Sequence, residues 1–232
     1  MFEDFEERFS PKSIDDIVFA SDGTRSFIED LITGARPFPI KEGKCGILLY
    51  GVNGTGKSAL AKLLPNAIES ARGGEQAYEM YIRVQSGSNG MSLIQKVANK
   101  AMLVPFGKFN YFVLDEVDEL RDGAMSTLKS AMNYGGTVWV LTTNRFTDIE
   151  AGVKDRCHCI PFNAAPAEKW FGLARRILAH AGVEGIEDEQ LAAVIAPCNG
   201  SARQITDAMV DLALRVRRAN HQANKALTES VV

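Results

Sequence analysis

Between Gly51 and Ser58 the chain reads GVNGTGKS, with a lysine and a hydroxyl closing a run that holds three glycines. The spacing fits G-x-x-x-x-G-K-[ST]. Bare backbone of this kind lets successive N–H groups curl around phosphate oxygens, and a helix starting just beyond adds partial positive charge. Gly51, Val52, Asn53, Gly54, Thr55, Gly56, Lys57, Ser58 and Ala59 are therefore the expected nucleotide-binding residues. Lys57 would reach the β- and γ-phosphates, and the Ser58 hydroxyl would hold Mg²⁺, so ATP and Mg²⁺ are the expected cofactors. A flexible glycine turn is the plainer reading. The apolar run GILLY before the loop and the helical run SALAKLL after it argue for the phosphate cradle.

A second chemical cluster ends the run YFVLDE, where Asp115 and Glu116 would emerge at the carboxyl edge of a parallel strand beside the phosphate loop. Asp115 would hold Mg²⁺, often through water. Glu116, pointing another way, would orient or deprotonate the water that attacks the γ-phosphate. Asp118 and Glu119 read as a solvated helix start, where acids are favoured.

Positioning these groups requires a sheet. Five short apolar runs, GILLY at 46, YEMYIRV at 78, YFVLDE at 111, TVWVLTTN at 137 and HCIPF at 158, alternate with segments of helical spacing such as Ile94, Val97, Ala98 and Ala101. Strand alternating with helix predicts a five-stranded parallel sheet covered on both faces, an α/β phosphate-loop fold. After Pro166 the stripes Trp170, Leu173, Ala174, Ile177, Leu178 and Ile205, Ala208, Met209, Leu212, Val216 predict a small helical subdomain. The expected plan is an α/β nucleotide-binding domain over 1–164, a helical lid over 165–220 and a polar tail over 221–232.

At 232 residues, 46% hydrophobic and 24% charged, the chain has the composition of a folded protein able to bury its own core. Its net charge of −3 argues against a uniformly basic nucleic-acid coat while leaving a local basic patch open. Cys45, Cys157, Cys159 and Cys198 lack paired C-x-x-C spacing and read as reduced core thiols. The start MFEDFEERFS is acidic, and no apolar run nears the roughly 20 residues of a membrane span, so a cytoplasmic protein without membrane contact is expected.

With these motifs in order, nearly the whole chain resembles the AAA+ ATPases, and among them the clamp-loader subunits of replication factor C type and the related phage protein. ERFSPKSIDDIVF is similar to the family's N-terminal segment, which implies that Pro11, Ile17 and Val18 line an adenine pocket; Ser10 stands where the family usually has arginine. VLTTNRF resembles the segment carrying the polar residue termed sensor 1, which makes Asn144 a γ-phosphate or water contact. VKDRCHCIPF resembles the serine-arginine-cysteine motif, with Asp155 in place of the serine. The resemblance makes Arg156 a finger acting in trans on a neighbour's γ-phosphate, where such fingers contribute roughly 10³ to 10⁵ in rate. A surface ion pair between Asp155 and Arg156 is the bland alternative. CNGSARQITDAM resembles sensor 2, making Arg203 a phosphate contact on the lid, with Asn199 or Ser201 capping its helix. RVQSGSNGMSLIQKV falls where clamp loaders face duplex DNA, with Lys96 and Lys100 available for phosphates or simply solvated.

The resemblance implies an ATP-driven switch working as a homo- or hetero-oligomer, with a sliding clamp and primer-template DNA as partners. The chain is expected to lack the helical collar that clamp-loader subunits carry after the lid. Other DNA-remodelling or helicase-loading roles, and a nucleotide-dependent binding module with little hydrolysis, are the alternatives. A small-molecule kinase is disfavoured by Asn144 and Arg203 standing in family order.

Overall fold

The computed structural model describes residues 5–121 and 123–229. In chain order the elements are α1 (Phe5–Phe9), α2 (Asp22–Thr33), β1 (Gly46–Tyr50), α3 (Lys57–Ala71), β2 (Glu79–Arg83), α4 (Met91–Ala101), β3 (Asn110–Asp115), α5 (Ala124–Ala131), β4 (Thr137–Thr143), α6 (Ala151–Asp155), β5 (Cys157–Pro161), α7 (Phe171–His180), α8 (Asp188–Ile195) and α9 (Ala202–Glu229), joined by short 3-10 turns. The five strands among the described residues form one sheet in the order β2-β3-β4-β1-β5, with every pairing parallel. The expected α/β fold is therefore present.

Alternation along the strands supplies two cores. Ile47, Leu49, Tyr111, Val113, Val138, Val140 and Ile160 face α2 and α3, whereas Leu48, Phe112, Leu114, Trp139, Leu141 and Cys157 face α4, α5 and α6. Successive residues point to opposite faces, so each central strand is apolar throughout, as a sheet covered on both sides requires. β2 is the edge strand, and none of its residues is fully buried. Cys157 and Cys159 share the α5 face of β5, and all four cysteines are free thiols. Desolvation raises the Cys45 thiol to about 11 and holds Cys157 well above the ordinary range, so both are poor nucleophiles.

The chain divides into two units, Pro11–Asn163 and a helical unit that combines Met1–Ser10 with Ala164–Val232. The division differs from the expected domain plan in two places. Residues 5–10 group with the helices rather than with the sheet, where Phe9 packs edge-on to His180 with ring centroids 5.6 Å apart. The segment from 221 continues α9 as far as Glu229 instead of forming a separate tail, and 230–232 lie outside the described residues. Within the helical unit Trp170, Ala174, Ile177 and Leu178 meet Leu191, Ile195, Ile205 and Met209 as a buried set. None of the described helices is long and apolar enough to cross a membrane.

Candidate active site

β1 ends at Tyr50, and the chain turns at once into the phosphate loop, because Gly51 takes φ 150, Gly54 φ 83 and Gly56 φ 102. A side chain at Gly51 would also come within 2.5 Å of the Phe162 carbonyl oxygen, so that position needs glycine both for its backbone angle and for its close approach to the end of β5. Gly56 precedes α3 and offers no side chain to cap it, which leaves the first-turn N–H groups facing the loop. Thr55 is buried and donates its hydroxyl to the Val52 carbonyl at 3.1 Å, while Val52 and Asn53 are exposed at the tip. Gly54, Ser58 and Ala59 are half-buried.

Lys57 is 6% exposed, and its ammonium donates to the carbonyls of Gly51 at 3.0 Å and Val52 at 2.7 Å. Burial lowers its pKa below the ordinary lysine value, against the opposing attraction of Asp115, Asp118 and Glu116. The loop thus folds around its own cation, which is held where incoming phosphate oxygens can replace the two carbonyls.

β4 lies between β1 and β3, so the strand bearing Asp115 is not the direct neighbour of the phosphate loop that the sequence suggests. The side chains close the gap. Ser58 Oγ donates to Asp115 Oδ1 at 2.7 Å, Thr142 Oγ1 to the same oxygen at 2.5 Å, and Tyr81 OH to Oδ2 at 2.9 Å. Asp115 is 3% exposed, and a buried carboxylate is tolerable only with such donors. Thr142 Oγ1 also accepts the Glu116 N–H at 3.0 Å, which helps fix Glu116 in a left-handed conformation, φ 62 and ψ 49. Such a backbone is strained for a non-glycine residue and turns the Glu116 side chain away from that of Asp115.

Glu116 carries a fork-to-fork pair with Arg83 at the end of β2, Nε to Oε2 at 3.1 Å and Nη2 to Oε1 at 2.9 Å. Arg83 is half exposed, so the pair is readily opened. Asn144 leaves the end of β4 and lines one open cavity of about 400 Å³ together with Arg83, Gln85, Glu116, Asp118 and Glu119. Asp118 is not the solvated group that the sequence suggests, whereas Glu119 is exposed in the first turn of Val117–Glu119. The Asp118 side chain is 4% exposed, and both acids pair with Arg145.

Ile17 is buried in the core beside Phe19 and Phe162, while Pro11 and Val18 are half-buried at the start of the same unit. Arg156 stands just before β5, at the amino edge of the sheet, whereas the phosphate loop leaves the carboxyl edge of β1. A five-residue strand spans roughly 15 Å, which separates the two. Its guanidinium donates to Asn133 Oδ1 at 2.8 Å and to the Gly152 carbonyl at 2.9 Å, so the pair with Asp155 that the sequence left open is not the contact that holds it. Arg203 lies in the helical unit, exposed in the first turn of α9. Before it Gly200 takes φ 68, and a side chain there would meet Ala164 at 2.6 Å. Ser201 rather than Asn199 approaches a cap, accepting the Gln204 N–H at 3.5 Å. Lys96 and Lys100 are exposed on α4.

The donor chemistry fits the expected ligands. Ser58 and Asp115 supply hard oxygens at the loop, and among the described residues no cluster of three or more His, Cys, Asp or Glu side chains could cage a metal alone. Mg²⁺ is commonly held this way, by one or two protein oxygens together with substrate phosphates and water.

Sequence reasoning missed Arg83, Tyr81, Thr142 and Arg145. A charged residue at the carboxyl end of an otherwise apolar strand, as Arg83 is, was the available signal. Tyr81 and Thr142 reach Asp115, and Arg145 reaches Asp118 and Glu119, only across pairings distant in sequence.

Residues 47–162 match the model of the ATPase family associated with various cellular activities. Over 231 residues the chain is 28% identical to replication factor C small subunit 2 of Pyrobaculum aerophilum, covering 97% of this chain and 66% of that protein. The probable replication factor C subunit 2 of Dictyostelium discoideum is 28% identical over 85% of this chain and 57% of its own length. The chain thus spans just under two thirds, or less, of these relatives. Among solved structures, the RuvB Holliday junction branch migration motor of Thermotoga maritima superposes with a TM-score of 0.65 at 17% identity, over 90% of this chain and 65% of that one. The FIGL-1 AAA domain in complex with ADP gives 0.65 at 15% identity, over 90% and 75%.

Proposed function

The chain belongs to the ATPase family associated with various cellular activities, and on that premise we propose that it binds and hydrolyses ATP as one subunit of an oligomer, acting as a clamp-loader-like switch in DNA replication. The observation that carries this reading is the junction of loop and acidic strand, Ser58 Oγ to Asp115 Oδ1 at 2.7 Å, with Glu116 the next residue and Asn144 across the same cavity. Lys57 and the first-turn N–H groups of α3 take the phosphates. Mg²⁺ held by Ser58 and Asp115 would neutralise charge on the β- and γ-phosphate oxygens. Glu116, freed from Arg83, accepts a proton from the attacking water, and Asn144 holds that water or the γ-phosphate in line. Pro11, Ile17 and Val18 border the base, and Arg203 on the lid reads the phosphates. Arg156, too far along β5 for its own loop, serves the site of a neighbour.

Similarity to replication factor C small subunits over 97% of the chain supports the clamp-loading part, with primer-template DNA and a sliding clamp as partners. A protein partner is also supported by Met102, Leu103, Val104 and Phe106, which are 55%, 64%, 87% and 92% exposed on the loop after α4. The Arg83 pair favours one second reading, a nucleotide-dependent binding module that hydrolyses little until a partner opens the pair. Phosphate release and fluorescent-ATP binding, measured with and without primed DNA, test both. Turnover that Glu116→Gln abolishes while ATP binding persists supports hydrolysis through Glu116. Equal turnover in the variant removes Glu116 from that role.

A further inference from the structure

Arg145 follows Asn144 directly in the loop leaving β4, and its side chain crosses to the loop leaving β3. Nε donates to Asp118 Oδ2 at 3.1 Å and lies 3.3 Å from Asp148 Oδ2, while Nη2 donates to Glu119 Oε1 at 2.8 Å and to the Asp118 carbonyl at 3.3 Å. The Arg145 N–H is fixed as well, donating to Thr143 Oγ1 at 2.9 Å. One guanidinium therefore ties the turn Val117–Glu119, which begins right after Glu116, to the loop of Asn144 and to the turn Phe146–Asp148. A planar guanidinium spreads its donors over separate nitrogens in fixed geometry, whereas an ammonium gathers all of its donors on one atom.

Asp118 shows why the tie matters. Its side chain is 4% exposed, its Oδ1 is buried without a hydrogen-bond partner among the described residues, and its charge acts on Lys57 in the phosphate loop. A carboxylate buried to this extent needs a cation against it, and Arg145 supplies the direct contact. Asp118, Glu116 and Asn144 line the same cavity, so the tie spans the end of the site where the water and γ-phosphate meet.

We propose that Arg145 is a positioning residue for hydrolysis: by binding Asp118 and Glu119 to the loop of Asn144, it fixes the separation between Glu116 and Asn144. The proposal rests on the ATPase reading above. Arg145 is not part of the cavity lining that Glu116 and Asn144 share, and its effect passes through those two residues.

The test uses the full chain and reads kcat, KM for ATP and the affinity for a fluorescent ADP in Arg145→Ala, Arg145→Lys and the double variant Asp118→Asn/Arg145→Ala. The double variant leaves no stranded charge, so its thermal unfolding should return to that of the parent and separate geometry from folding. Arg145→Ala and the double variant should each lose between about 10- and 100-fold in kcat, the scale of a small misplacement, with KM and ADP affinity held within about twofold. Arg145→Lys should recover only part of the rate. A parental kcat in the double variant would overturn the proposal, as would kcat and ADP affinity falling together in every variant. A parent that binds ADP no better than Lys57→Ala would remove the ATPase reading itself, and the brace with it.

Discussion

The two edges of the sheet are built differently. At the carboxyl edge nearly every chemical group is engaged within the chain: Lys57 with loop carbonyls, Asp115 with Ser58, Thr142 and Tyr81, and Glu116 with Arg83. At the amino edge Arg156 is held half-exposed by Asn133 and Gly152, and Leu103, Val104 and Phe106 project into solvent on a loop pinned by Asn110 to Leu103 at 2.7 Å and by Glu69 to Lys108 at 2.7 Å. One edge is organised to receive a small anionic ligand. The other presents a half-exposed arginine and three exposed apolar side chains, and the parallel sheet keeps the two a strand length apart.

The largest expected effect lies at the carboxyl edge. Lys57→Ala removes the buried cation, and ATP affinity should fall about 100-fold or more, roughly 2.7 kcal/mol, in a direct binding titration. Thr142→Val comes next. It keeps the side-chain shape but strands the Glu116 N–H and removes a donor from Asp115, so kcat should drop and the unfolding free energy from urea titration should fall by about 1–3 kcal/mol. At the amino edge the expectation reverses. Phe106→Asp alters a residue 92% exposed, so ATP affinity and unfolding should stay within about 0.5 kcal/mol of the parent while capture of a sliding clamp weakens in a pull-down.

The smallest effect concerns His158, the second residue of β5, between the two edges. It packs against the rings of Phe27 and Phe38, its Nε2 is buried without a hydrogen-bond partner among the described residues, and desolvation with the Lys44 and Arg36 charges lowers its pKa below 6.5. The unfolded chain therefore takes up the proton first as pH falls. The stability gained from keeping this ring neutral is present above about pH 6.5 and is lost as pH falls from there toward the folded value. Unfolding midpoints measured from pH 7.5 to 5 should decline less steeply in His158→Phe.

What could be read from the sequence was what depends on near neighbours. GILLY, YFVLDE and TVWVLTTN are apolar because both faces of their strands are covered, and GVNGTGKS shows its purpose because the loop is made from consecutive backbone. Strand order was not legible, since nothing in the sequence near Asp115 says that β4 intervenes before β1. The same limit hid Thr142, which joins Asp115 and Glu116 from another strand. It also made Asp118 look like a solvated cap, because local rules favour acids at a helix start while its partner Arg145 lies 27 residues away. α2, which closes one face of the sheet with Ile28, Leu31 and Ile32, went unread because its apolar residues are few and its polar ones many.

The claim that the site is completed between subunits is tested most directly by ATPase activity per subunit against protein concentration, with Arg156→Ala beside the parent. Specific activity that rises steeply with concentration in the parent and stays low in the variant is the predicted result. Constant specific activity, equal in both, would contradict it and return Arg156 to a structural role at the amino edge of its own sheet.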